Sequence, residues 1–86
     1  MSNRYVIRAW CNGCAGESNN LSTDGNRLYS YKLEIARVVG DNFIIWDYTA
    51  SGVFMSHTTS KHVGLAIRSS PFADVRHPSE KSQYNA

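Results

Sequence analysis

The sequence predicts an α+β domain, a small antiparallel sheet of about four strands with one helix packed on a face, in the order β-β-β-β-α. Three observations carry this. Residues 28–48 alternate between apolar and polar positions on either side of a Gly40-Asp41-Asn42 turn. The stretch SHTTSKHVGLAIRSS, Ser56 to Ser70, holds the clearest helix start and stop signals in the chain. And 86 residues are enough for one domain, in which only about 60–65% of the unfolded surface can be buried. A lone hairpin would not be stable at this size, so the helix has to close the core.

Arg4 to Trp10 (RYVIRAW) is rich in aromatic and β-branched residues and predicts a first strand, with Tyr5, Ile7 and Ala9 on one face and Val6, Arg8 and Trp10 on the other. Neither face is cleanly polar, which places that strand near the middle of the sheet. Cys11 to Arg27 holds three of the six glycines and five Asn or Asp, so it predicts a long irregular loop. Leu28 to Val39 is the most periodic segment. Tyr29, Tyr31, Leu33 and Ile35 fall on one face and Ser30, Lys32 and Glu34 on the other, as in a half-buried strand. Phe43 to Tyr48 pairs with it as a hairpin across the turn.

A second turn, Thr49 to Gly52, leads to a short strand from Val53 to Ser56 and then to the helix. Thr58, Thr59 and Ser60 can accept from the unpaired amides of a first helical turn. Val63, Ala66 and Ile67 share one face, and Pro71 ends the helix by pushing the residue before it out of the α region. The expected organisation is one domain over 1–77 and a flexible tail over 78–86.

Composition bounds the function. An apolar content of 42% suits a globular chain, and nine Lys and Arg against seven Asp and Glu, scattered along it, do not announce nucleic-acid binding. No apolar run approaches the ~18 residues of a membrane span, and the N-terminal residues lack the apolar core of a signal peptide. A cytoplasmic protein without membrane contact is expected, with its two cysteines reduced or on a metal.

Three constellations could carry chemistry. Thr58, Thr59, Ser60, Lys61 and His62 surround a helix N-terminus with hydroxyls and cations, which suits a phosphate or carboxylate. The commoner role of such residues is a plain N-cap. Cys11, Cys14, His57 and His62 have zinc-ligand spacing within each pair, although the gap between the pairs is long for a small zinc site; free thiols and surface histidines are the alternative, and no other cofactor is expected. Trp10, Tyr29, Tyr31, Trp46 and Tyr48, with Arg4, Arg8, Lys32 and Arg37 among them, could form a base-stacking sheet face or simply the core, with Arg37 and Arg8 paired to Glu34 and Asp47. No local motif specifies a nucleophile or a cofactor loop, so catalysis is not expected.

Tyr29-Ser30-Tyr31, then Ile35-Ala36, then Ser56-His57-Thr58-Thr59-Ser60-Lys61-His62 resemble, in that order, a family of small bacteriophage-encoded proteins of unknown function. The resemblance covers Asp24 to Ile67, and the Thr-Thr-Ser-Lys-His run is its most specific part. Met55 and His57 depart from the family's aromatic and aliphatic residues, and the cysteine pair lies outside the pattern. The resemblance implies a phage protein at work in the cytoplasm of an infected bacterium. It favours a non-catalytic protein that binds and inhibits a bacterial host factor, in defence or transcription. The alternative is a nucleic-acid or nucleotide binder using Arg8, Lys32, Arg37 and the Thr58–His62 stretch.

Overall fold

A computed structural model describes residues 2–84 and shows an α+β architecture with more elements than expected. The chain opens with helix α1 (Asn3–Cys11), followed by strands β1 (Ala15–Glu17), β2 (Leu21–Asp24), β3 (Arg27–Ser30), β4 (Leu33–Val39) and β5 (Asn42–Trp46). Helix α2 (His57–Ser69), strand β6 (Asp74–Arg76) and a 3-10 helix (Pro78–Tyr84) complete it. The six strands form one sheet in sequence order, antiparallel from β1 to β5, with β6 added parallel to β5 through α2.

The first strand of the expected order is in fact α1. Ser2 caps it, its hydroxyl accepting from the Tyr5 amide, and Val6, Ile7, Ala9 and Trp10 are its buried residues. Those positions recur at helical spacing, so both faces of the assumed strand held an apolar residue. Buried on α1, they let the helix close the core. α1 lies over β1, β2 and β3, and α2 over β5. The approach of α1 to β1 is close: a Cβ on Gly16 would stand 3.3 Å from that of Ala9.

The segment read as one strand over 28–39 is two. Tyr31 takes a positive φ of 58° and the chain reverses at Tyr31-Lys32, so Ser30 pairs with Leu33. The 40–42 turn is where it was expected, with Val39 opposite Asn42 and Gly40 at a φ of 61°. The Cys11–Arg27 loop contains β1 and β2, whereas 53–55 is not a strand. Within the stretch expected to be a flexible tail, 78–84 form the 3-10 helix, while 85 and 86 lie outside the described residues.

β4 carries a bulge. Leu28 pairs with Ala36 and Tyr29 with Glu34, leaving Ile35 as an extra residue. In a regular strand positions 34 and 37 would face opposite ways; the added residue turns both to the face away from the helices. There the Arg37 guanidinium donates twice to the Glu34 carboxylate, each at 2.9 Å, and Trp46 Nε1 donates to the same group at 3.1 Å. The 3-10 helix covers this cluster: the Tyr84 carbonyl accepts from Arg37 at 2.7 Å, and Lys81 Nζ donates to the Glu34 carbonyl and the Tyr48 hydroxyl.

Candidate functional site

The sequence-derived site residues separate into three groups in the structure. The start of α2 is capped by Ser56, whose hydroxyl accepts from the Thr59 amide at 3.1 Å. The cap therefore lies two residues before Thr58. Thr59 and His62 turn inward and are 3% and 4% exposed. Ser30 Oγ, fully buried, sits 3.0 Å from Thr59 Oγ1 and 2.7 Å from His62 Nδ1. Burial lowers the His62 pKa from its ordinary value, because a charged imidazole there would lose its hydration. These three residues pin α2 to the end of β3. Only Lys61 of the five is exposed, with Thr58 and Ser60 half-buried, so no cluster of hydroxyls and cations faces an incoming anion.

The four proposed zinc ligands are not brought together. Cys11 Sγ lies 3.3 Å from Ser70 Oγ at the C-terminal end of α2, while His57 begins that helix about 20 Å away at 1.5 Å per residue. Cys14 is exposed and His62 faces Ser30. Among the described residues no three His, Cys, Asp or Glu are grouped as metal ligands.

The expected aromatic platform is also dispersed. Trp10, Trp46 and Tyr48 belong to the core, and Tyr31 is exposed at the β3–β4 turn beside Lys32. Arg37 is buried on Glu34, its partner on the same strand rather than across the sheet, and so is withdrawn from any phosphate.

Arg8 belongs to a different surface, one the sequence reading did not assemble. A groove of about 620 Å³ runs between α1 and α2. Ile7, Leu65 and Phe72 supply its apolar lining; Arg4, Arg8 and Arg68 bring cations to it. Phe72 ends an edge-to-face row, Trp10 to Phe43 to Phe72, with centroids 5.3 and 5.1 Å apart. It is 61% exposed. Among the described residues Arg4, Arg8 and Arg68 form no ion pair with a carboxylate. Reading 4–10 as a strand hid this groove. Spacing alone would have found half of it, because Arg4 and Arg8 are four apart and Val6, Ala9 and Trp10 follow i, i+3, i+4.

Charge is divided between the layers. α1 and α2 carry Arg4, Arg8, Lys61 and Arg68 and no Asp or Glu. All seven carboxylates of the chain stand outside the two helices, with the remaining five cations. A net charge of +2 is thus a helix layer of +4 over a remainder of −2.

No protein family, curated protein or solved structure matches the chain.

Proposed function

We propose that this chain is a non-catalytic binding protein of phage type, which engages an acidic surface of a bacterial host factor through its helix layer and inhibits that factor. The observation that supports it most is the separation of charge: four cations and no carboxylate on the two helices. Such a field steers an acidic partner and rejects a basic one. The non-catalytic reading draws support from the Ser30–His62 pair, which is sealed in the core where no substrate reaches the hydroxyl. The phage and host parts of the reading rest on the resemblance of residues 24–67.

The test is capture from nuclease-treated bacterial lysate by the wild type and by Arg8→Glu/Arg68→Glu, followed by assay of the captured factor with added protein. One partner held by the wild type, released by the charge reversal and inhibited on binding is the expected outcome. Equal capture by both proteins, or a partner whose activity is untouched, sinks the reading.

The same four cations favour a second reading, nucleic-acid binding. Its log affinity would fall with log salt at a slope of about 3 to 4 if each cation met one phosphate. A flat salt dependence with oligonucleotides excludes it.

A further inference from the structure

We infer that the groove between α1 and α2 is a docking slot for an acidic peptide segment carrying one large apolar anchor, presented by a protein partner. The inference rests on the binding role proposed for the helix layer and names the chemistry of its occupant.

The cations at the groove are not explained by helix stability alone. Arg8 and Arg68 lie in the last turns of α1 and α2, where a positive side chain complements the helix dipole. Arg4 does not. It sits in the first turn of α1, at the positive end of the dipole, and neither helix has an acidic residue in its first turn. Structure alone favours Asp or Glu there, so the cation is held against a local cost. Arg4 and Arg8 are one helical turn apart, about 5–6 Å between Cβ atoms, and Arg68 stands on the other helix. Carboxylates flanking an anchor residue could meet all three.

The apolar lining selects between polyanions. Phosphates of a nucleic acid would satisfy the guanidiniums but leave Leu65 and Phe72 covered by nothing that matches them. A Leu, Ile, Phe or Trp side chain entering between the arginines would cover the half-buried Leu65 and the exposed ring of Phe72 together. A volume of about 620 Å³ accommodates such an anchor with its neighbours. Aromatic and arginine side chains around a desolvated pocket are also the composition in which binding energy concentrates.

The experiment is selection of a random dodecamer library on the intact protein, with resynthesised winners measured by fluorescence anisotropy against wild type, Arg4→Glu/Arg8→Glu and Phe72→Ala. All three side chains are exposed, and the folding of each variant is to be checked by its melting curve. The expected result is enrichment of Asp and Glu around one large apolar residue, with affinity falling about tenfold or more in both variants. Selected peptides without acidic enrichment overturn the proposal. Binding lost on charge reversal but indifferent to Phe72→Ala overturns the slot while leaving the helix-layer reading in place. Binding of a dT20 oligonucleotide with the same arginine dependence, and no peptide enrichment, makes nucleic acid the occupant. Self-association in sedimentation that Phe72→Ala abolishes makes it a second copy of the chain. No peptide and no oligonucleotide bound removes both readings.

Discussion

Ser30 Oγ lies 2.7 Å from His62 Nδ1, and both residues are shut inside the junction of β3 with α2. The imidazole is neutral there because burial holds its pKa below the ordinary value. In the unfolded chain the same group takes a proton near pH 6.5. As pH falls below ~6.5 the unfolded state therefore binds a proton that the folded state refuses, and stability drops until the lowered folded pKa is passed. Above ~6.5 this term is absent. Urea midpoints should fall between pH 7.5 and pH 5.5 in the wild type. His62→Gln should flatten that dependence. An unchanged slope in His62→Gln would refute the assignment.

Arg37 was a natural candidate for a phosphate contact, and the structure turns it into a stability residue. Its guanidinium is matched to the Glu34 carboxylate, and side-chain exposures are 9% and 10%. Removing one partner of a buried pair costs about 3–5 kcal/mol, with the lower end expected here because Arg27 Nε stays 3.5 Å from the same carboxylate. Arg37→Ala should therefore lower the melting temperature severely. The double change Glu34→Gln/Arg37→Met should cost less than Arg37→Ala, because no lone charge stays buried. A mild Arg37→Ala melt with lost binding would reverse the assignment.

The hairpin at Gly40 and the body of α2 were legible because each is specified locally: a two-residue turn between alternating runs, and an apolar stripe that ends before a proline. α1 is hidden in the sequence because RYVIRAW has strand-like composition, which masks the i, i+3, i+4 spacing of Val6, Ala9 and Trp10. The split of 28–39 was illegible for another reason. Tyr31 is not a usual turn residue, and its positive φ is imposed by the pairing of β3 with β4. Of the candidate site, Arg8 is legible in the sequence, but Arg68 and Phe72 come from the other end of the chain and only the packing of α2 on α1 brings them near it.

Moving the cap of α2 to Ser56 separates three neighbouring hydroxyls by role. Ser56→Ala removes the acceptor of the Thr59 amide and should cost about 1 kcal/mol. Thr59→Ala breaks the buried contact with Ser30 and should cost about 1–3 kcal/mol. Thr58→Ala touches neither bond and should stay within about 0.5 kcal/mol. Denaturant titration of the three variants checks the order. Thr58→Ala as the costliest of the three would return the cap to the position first expected.

The last prediction concerns the 3-10 helix over Pro78–Tyr84. It contains no buried residue of its own, yet four hydrogen bonds tie it to the rest of the domain: Arg37 to the Tyr84 carbonyl, Arg76 to the Glu80 carboxylate, and Lys81 to the Glu34 carbonyl and the Tyr48 hydroxyl. At about 1 kcal/mol each these contribute roughly 2–4 kcal/mol, some of which water recovers when the segment is absent. The Tyr84 ring also lies 5.5 Å from that of Trp46 and shields it. A chain ending at His77 should thus melt lower, and its tryptophan emission should shift to the red as Trp46 meets solvent. Lys81→Met should reproduce part of the loss in stability without the spectral shift, since Tyr84 stays over Trp46. The groove between α1 and α2 is lined by no residue of this segment, so peptide binding should survive the truncation. A truncated chain with wild-type melting and emission would show that the segment contributes nothing to the sheet it covers.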